Sequence, residues 1–218
     1  GKEKLKEAMR RHGIHCGCLI MSASFFSAPG KVSGEIKEGL ELARELGTDV
    51  LMVIPGQITP ADKAACKKMD KRMMLKYTVH HFRDAVEQAK PYGIKVGFEN
   101  TPHSYKPLAS AKDCKFVLQE VPGLGLIFDT GNFRVADTGC DELEIYEELK
   151  EYIIRVHLKY VAIGNFPNGE KCVNGQKIQA VVTGSGVIPM EKLITRLRED
   201  GYDKGLAIEY AKPGDIHG

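Results

Sequence analysis

The chain has 218 residues, of which 43% are hydrophobic and 28% are charged, a composition that fits one globular domain with a buried core. Its 31 Lys and Arg residues nearly balance its 29 Asp and Glu residues, and no basic stripe of the kind that binds nucleic acid is evident. No apolar stretch approaches the roughly 20 residues that span a bilayer, and no signal-peptide core is present. We therefore expect a cytoplasmic protein with neither nucleic acid nor membrane as a partner.

The cysteines are dispersed along the chain without a pair of Cys-x-x-Cys units, at Cys16, Cys18, Cys66, Cys114, Cys140 and Cys172. In a chain of this length, that pattern predicts free thiols in a reducing compartment rather than a disulfide framework. It also gives little support to a zinc knuckle.

Helix-like and strand-like segments alternate from the start of the chain. Residues 2–12 are charged and periodic, Ile14 to Ser22 is an apolar strand, Ser33 to Leu46 is an amphipathic helix that Gly47 can cap, and Asp49 to Ile54 is a strand. This rhythm predicts a parallel α/β fold.

The alternation continues through the rest of the chain, where four further helices each precede a strand. The predicted helices run from about Lys71 to Tyr92, with Gly93 as a stop, and over Ala111 to Val121, Asp141 to Tyr152 and Pro189 to Asp200. Six strands are therefore expected. Gly164 to Gly175, rich in Asn and Gly, is predicted to be a surface loop that could cover a pocket.

The last four strands each end in a potential metal ligand: Glu99, Asp129, His157 and Glu209. Because the carboxyl ends of parallel strands converge on one face, these residues can meet and hold a divalent cation. Each also has an ordinary interpretation. Asp129 could cap the next helix, His157 could be a half-buried histidine, and Glu209 could pair with a lysine. Their joint occurrence favours a shared site.

Single candidate ligands at successive strand ends favour a (β/α)8 TIM barrel over an open sheet with one glycine-rich crevice. A complete barrel takes about 250 residues, and this chain begins with a helix that would normally follow the second strand. We therefore expect a single barrel domain over residues 1–218 that is incomplete at the front. About six strands are visible, and we expect the first two strands of the barrel to be the missing ones.

Four motifs carry a resemblance to a known family, in order and spacing over roughly residues 12 to 210. They are Gly97-Phe-Glu-Asn, Phe128-Asp-Thr-Gly-Asn, Val156-His-Leu-Lys and Ile208-Glu-Tyr. Together they resemble the xylose isomerase-like barrel superfamily. The most similar group is the sugar phosphate isomerase/epimerase proteins, which are related to AP endonuclease-type barrels.

The resemblance implies that Glu99, Asp129, His157 and Glu209 bind one divalent ion: Mn²⁺, Mg²⁺, Zn²⁺ or Co²⁺. The ion would chelate the carbonyl and adjacent hydroxyl of a ketose and stabilise the enediolate. Glu99 and Glu209 would be the catalytic proton carriers. Transfer between opposite faces of the enediolate inverts a centre, and return to the neighbouring carbon isomerises the sugar.

Three further residues are predicted to bind substrate, and each has an alternative. Lys159 could meet a substrate oxygen or balance the carboxylates, and an ordinary ion pair is the alternative. Asn132 lies where relatives often carry a His or Asn that touches substrate, and a turn-forming Asn is the alternative. His103 could line the mouth or simply be solvated. His80 and His81 lie inside the long predicted helix and are left outside the site.

The expected function is that of a metal-dependent isomerase or epimerase acting on a sugar or sugar phosphate. Relatives often form homo-oligomers, and the sequence does not fix the number of copies. A dehydratase or lyase acting on a keto-sugar or keto-inositol is an alternative, as is an inactive metal-binding fragment. An AP endonuclease-like hydrolase is less favoured, because Asp129-Thr-Gly-Asn and His157-Leu-Lys-Tyr lack the additional ligands of a three-zinc cluster.

Overall fold

The computed structural model describes residues 2–26, 29–56, 69–101, 103 and 107–209. The chain forms two compact units. The first comprises Gly1–Phe98 with Val121–Leu124, and the second comprises Glu99–Glu120 with Gly125–Gly218.

The first unit alternates helices with parallel strands. Its elements are α1 (Lys2–His12), β1 (Leu19–Ala23), α2 (Pro29–Leu46), β2 (Val50–Pro55), α3 (Lys71–Ala89), a 3-10 turn (Lys90–Tyr92) and β3 (Lys95–Glu99), whose last residue belongs to the second unit. Strand β1 pairs in parallel with β2, and β2 pairs in parallel with β3.

Local sequence signals explain where the long helix α3 begins and ends. The Asp70 side chain accepts a hydrogen bond from the Met73 backbone N–H at 2.7 Å, which satisfies one of the donors at the helix start. The helix tightens into the 3-10 turn and stops at Gly93, whose φ of 65° is the left-handed conformation that glycine adopts at little cost.

Aromatic side chains fill much of the core of the first unit. Phe25, Phe82 and Phe98 are completely buried. The ring centroids of Phe25 and Phe82 lie 4.8 Å apart, and those of Phe82 and Phe98 lie 5.4 Å apart. Helix α3 therefore presents one apolar face to the core, as its periodicity requires.

The second unit combines a parallel sheet with a small antiparallel one. Its elements are α4 (Ala111–Glu120), β4 (Gly125–Asp129), a 3-10 turn (Asn132–Val135), α5 (Glu142–Leu149), a 3-10 turn (Lys150–Tyr152), β5 (Ile153–Leu158), β6 (Val161–Gly164), β7 (Glu170–Lys171), β8 (Lys177–Ala180), α6 (Met190–Glu199) and β9 (Leu206–Ile208). Strands β4, β5 and β9 are parallel, whereas β8 pairs in antiparallel fashion with β6 and β7.

All six predicted strands are present as parallel strands, although some boundaries move. The strand predicted from Ile14 begins only at Leu19. The helices predicted to reach Tyr92 and Tyr152 end in 3-10 turns. No described helix has the length and apolar content needed to cross a membrane.

The prediction of a surface loop over Gly164 to Gly175 is wrong in part. Strand β6 ends at Gly164, and β7 lies within the segment. Ile178 of β8 belongs to a small cluster of buried residues with Ala109, Val135 and Cys172. The Asn-Gly pair before β8, with Gly175 at a φ of 87°, is itself a hairpin signal. The strands are so short that their alternation gives almost no periodic pattern.

Among the described residues, five cysteines form no disulfide: Cys16, Cys18, Cys114, Cys140 and Cys172. Cys66 lies outside the described residues.

Candidate metal centre

The four predicted ligands all lie in the second unit, at or just beyond the carboxyl ends of parallel strands. Glu99 closes β3 and Asp129 closes β4, His157 is the penultimate residue of β5, and Glu209 follows β9 directly. Asp129 is the register partner of His157. One ligand atom from each of the four lies within 4.8 Å of the others. We call these four residues the candidate metal centre.

Burial changes across this group. The Asp129 side chain is fully buried, those of His157 and Glu99 are 11% and 14% exposed, and that of Glu209 is 43% exposed. Solvent therefore reaches the group mainly beside Glu209.

The two oxygens of Asp129 have different partners. Oδ1 accepts hydrogen bonds from the backbone N–H groups of Gly131 at 2.9 Å and Asn132 at 2.8 Å. Oδ2 lies 2.9 Å from Nζ of Lys159, but within the described residues it has no partner at a hydrogen-bonding angle. The capping interpretation of Asp129 is thus correct for one oxygen, and the other remains available as a ligand atom.

Lys159 lies among the carboxylates. Its Nζ is 2.9 Å from Asp129 Oδ2, 2.8 Å from Glu209 Oε2 and 3.0 Å from Asn132 Oδ1. Its backbone is held by Thr130, whose hydroxyl donates to the Lys159 carbonyl and accepts from its N–H, both at 2.9 Å. In the structure, Lys159 therefore forms ion pairs with Asp129 and Glu209. A contact of Lys159 with substrate stays a prediction.

Asn100 is a supporting residue that the sequence did not single out. This fully buried side chain accepts from the Asp129 N–H at 3.0 Å and donates to the Asp129 carbonyl at 3.1 Å. The backbone carbonyl of Asn100 accepts a hydrogen bond from Nδ2 of Asn132 at 2.9 Å, and the same Nδ2 lies 3.4 Å from Glu99 Oε2. The available signal was its position directly after Glu99 in the Gly-Phe-Glu-Asn motif.

Two other sequence expectations concern histidines. Nδ1 of His103 lies 3.3 Å from Oε1 of Glu170 in β7, and His103 is not a member of the ligand group. Its contact with substrate stays a prediction. His80 and His81 lie on α3 in the first unit, outside the candidate metal centre, as expected.

Burial and like charge perturb the ionisable groups. Burial raises the pKa of Asp129 to about 7; Lys159 opposes this shift, and Glu99 and Glu209 add to it. Burial by itself would lower the pKa of His157, but its 2.5 Å contact with Glu99 and the other carboxylates raise it above the ordinary value. Burial likewise opposes the charge of Lys159, and the surrounding carboxylates raise its pKa.

With its carboxylates ionised, the group has more negative than positive charge. When ionised, Glu99, Asp129 and Glu209 carry three negative charges, against which Lys159 supplies one positive charge and a neutral His157 supplies none. A divalent cation would bring the group to neutrality. Three carboxylates, one imidazole and the unused oxygen of Asp129 form a ligand set that fits such an ion.

A model of the xylose isomerase-like TIM barrel family matches residues 1–217. The chain belongs to this family. The match confirms the resemblance carried by the four sequence motifs, and with it the α/β barrel class.

Two curated proteins are similar to the chain. It is 27% identical over 177 residues to the uncharacterized protein MJ1311 of Methanocaldococcus jannaschii, a match that covers 80% of this chain and 55% of the relative. It is 23% identical over 181 residues to an inosose isomerase of Halalkalibacterium halodurans, covering 82% of this chain and 59% of the relative. The chain thus spans less than two thirds of the length of these relatives.

Solved structures share the fold over almost the whole chain. An IolI protein with a bound zinc atom has a TM-score of 0.72 at 20% identity, with 99% of this chain and 74% of that chain covered. A D-tagatose 3-epimerase-like protein has a TM-score of 0.71 at 23% identity, with 98% and 77% covered. A probable 3-DHS dehydratase, AsbF of Bacillus anthracis, has a TM-score of 0.73 at 15% identity, with 97% and 76% covered.

The proteins that resemble this chain therefore include an inosose isomerase, a D-tagatose 3-epimerase-like protein and a probable dehydratase. At these identities the structural likeness shows the fold and leaves the reaction to be argued from the residues.

Proposed function

We propose that the chain is a metal-dependent enzyme that isomerises or epimerises a small sugar through an enediolate. The observation that carries this proposal is the meeting of Glu99, Asp129, His157 and Glu209 around a buried carboxylate oxygen that has no hydrogen bond within the described residues. Similarity to proteins named as an inosose isomerase and a D-tagatose 3-epimerase-like protein supports the reaction class.

The four residues of the candidate metal centre would hold one divalent ion, with Mn²⁺, Mg²⁺, Zn²⁺ and Co²⁺ as candidates. When bound, the ion supplies Lewis-acid polarisation of a carbonyl and its neighbouring hydroxyl, which makes the adjacent C–H more acidic. Asp129 and His157, being the more buried ligands, would fix its position.

Glu99 and Glu209 are the proposed proton carriers. They come from different strands, Glu99 beside His157 and Glu209 beside Lys159, so a planar enediolate between them would present one face to each. Burial opposes ionisation of Glu209, yet Lys159 and its other neighbours lower the pKa of this carboxyl, so it is ionised and can accept a proton. Removal by one carboxylate and return by the other gives epimerisation, and return by the same carboxylate to the next carbon gives isomerisation.

Lys159 and Asn132 are proposed to bind the substrate oxygens. The ammonium of Lys159 is already placed among the carboxylates, where it would stabilise charge that develops on an oxygen during proton removal. Asn132 lies within hydrogen-bonding reach of Lys159 and donates toward Glu99. His103, paired with Glu170, is proposed to line the entrance.

Solvent deuterium exchange tests this proposal. The Mn²⁺-loaded chain is incubated in D₂O with a panel of ketoses and a keto-inositol, deuterium uptake is followed by mass spectrometry, and loss of water is followed by enone absorbance. Glu209→Gln is the test variant. Glu199→Gln, at an exposed position on α6, is the matched control.

Exchange without loss of water, present in the control and absent in Glu209→Gln, is the expected result. Exchange accompanied by loss of water would replace the proposed reaction with dehydration at the same site. Full metal occupancy with no exchange into any of these compounds would contradict an isomerase or epimerase.

A further inference from the structure

We infer that helix α3 carries a second metal site, formed by His80, His81 and Asp84, for a divalent transition-metal ion such as Zn²⁺ or Co²⁺. We call these three residues the helical site. They belong to the first unit, and the inference is independent of the proposed function.

The spacing of the three residues suits a single ion. Asp84 is four positions after His80 and three after His81, and residues with these separations are neighbours on a helix surface. His80 Nε2 lies 3.7 Å from Asp84 Oδ2. One ligand atom from each of the three lies within 4.8 Å of the others. Ligands around a tetrahedral zinc ion lie about 3.4 Å apart, so only a modest closing movement is needed.

His81 supplies an independent reason to expect a ligand. The residue is only 2% exposed, and its Nε2 is buried without a hydrogen-bond partner among the described residues. A buried polar atom normally has a partner, because leaving it without one costs free energy. Contacts with Phe25 and Tyr77, at centroid distances of 5.2 and 6.3 Å, hold the imidazole in place.

The other two ligands give the ion a route from solvent. The side chains of His80 and Asp84 are 59% and 53% exposed, so both have room to rotate toward an ion held by His81. Water can complete the coordination on this side.

The donor set separates the two sites chemically. The helical site offers two imidazoles and one carboxylate, whereas the candidate metal centre offers one imidazole and three carboxylates. Imidazole favours Zn²⁺, Co²⁺ and Ni²⁺ over Mg²⁺, and oxygen-rich sites suit Mg²⁺ and Mn²⁺. We therefore expect excess Mg²⁺ to compete at the candidate metal centre and not at the helical site.

The test uses the full chain with Glu99→Gln and Glu209→Gln, which disable the candidate metal centre. Co²⁺ is titrated in excess Mg²⁺ by calorimetry and by its visible absorption, and Zn²⁺ by the rise in melting temperature. His80→Ala and Asp84→Asn are then added separately, because both side chains are exposed and their loss leaves the core intact. His15→Ala, also at an exposed position, is the control.

The expected result is one Co²⁺ per chain, with affinity reduced about tenfold or more by His80→Ala and by Asp84→Asn and unchanged by His15→Ala. The Zn²⁺-dependent rise in melting temperature should shrink in the same two variants. Failure of the parent double variant to bind Co²⁺, or Co²⁺ binding that survives either ligand change unaltered, would overturn the inference.

Discussion

Asp129 and Glu209 contribute to the same candidate metal centre, but the chain holds them in opposite ways. Asp129 is completely buried, with one oxygen bonded to two backbone N–H groups and its own backbone bracketed by Asn100. Glu209 follows a three-residue strand whose residues are all exposed, and its carboxylate contacts Lys159. We propose that Asp129, with its backbone contacts, is a fixed half of the centre that positions the ion, and that Glu209 is a more accessible half that transfers protons.

Glu209→Gln tests the accessible half and should have the largest effect on turnover. We expect a fall of about 1000-fold or more, because the amide cannot accept a proton, measured as deuterium exchange into the best ketose. The free energy of unfolding should change by less than about 0.5 kcal/mol, since this side chain is 43% exposed and contributes little to the core. Turnover equal to that of Glu199→Gln would remove Glu209 from the mechanism.

Asp129→Asn tests the fixed half and should mainly lower the affinity for the metal ion. An amide oxygen can still accept from Gly131 and Asn132, but the Oδ2 position becomes a neutral donor facing Lys159. We expect Mn²⁺ affinity to fall about 100-fold or more, as measured by calorimetry. The metal-free variant should also melt below the wild-type temperature, because an amide donor then faces the Lys159 ammonium and Glu209 is left as its only carboxylate partner within the group. An unchanged Mn²⁺ affinity would show that Asp129 is only a cap.

Lys159→Met tests the cation that joins the two halves. In this variant the Asp129 and Glu209 carboxylates have lost the ammonium that both contact. The free energy of unfolding of the metal-free protein, measured by chemical denaturation, should therefore fall by about 3 kcal/mol. Saturating Mn²⁺ should recover part of that loss. Lys115→Met removes an exposed ion pair with Glu148 and should cost less than about 1 kcal/mol. Equal losses of stability in the two variants would mean that the ion pairs of Lys159 contribute no more than an exposed surface ion pair.

A change of one pH unit should alter Mn²⁺ affinity less than the substitutions above alter the properties they test. The folded pKa of Asp129 is about 7, above its ordinary value of 3.8, so this carboxyl binds a proton more tightly in the folded protein. The contribution of Asp129 to metal-free stability is therefore fully present below about pH 4 and is lost as pH rises toward 7. Mn²⁺ affinity should rise over the same interval, by up to about tenfold per pH unit, because the proton must leave. A flat affinity profile between pH 5 and pH 7 would show that Asp129 does not release a proton on binding.

The sequence predicts the strand-end positions of the candidate ligands better than it predicts the hydrogen bonds that support them. The position of each candidate ligand follows from an apolar run that closes in Glu, Asp or His, so Glu99, Asp129, His157 and Glu209 could be found without a structure. The support of Asp129 by Asn100 could not, because it depends on hydrogen bonds between residues 29 positions apart.

Some sequence alternatives prove compatible with one another. Asp129 is a cap through one oxygen and a candidate ligand through the other, so neither interpretation excludes its rival. The antiparallel sheet of β6, β7 and β8 was not predicted, because strands of two to four residues are too short to show an alternation of apolar and polar residues. The contact of His103 with Glu170 depends on that sheet, so the sequence did not predict this contact either.

The most direct measurement of the central claim is the metal content of the purified chain after loading with Mn²⁺ and dialysis. It is made in a His80→Ala background so that the helical site does not contribute, with and without Glu99→Gln and Glu209→Gln. We expect about one Mn²⁺ per chain with the four strand-end residues intact and none when both glutamates are replaced. No ion in either protein, or the same amount in both, would contradict a metal site at these strand ends.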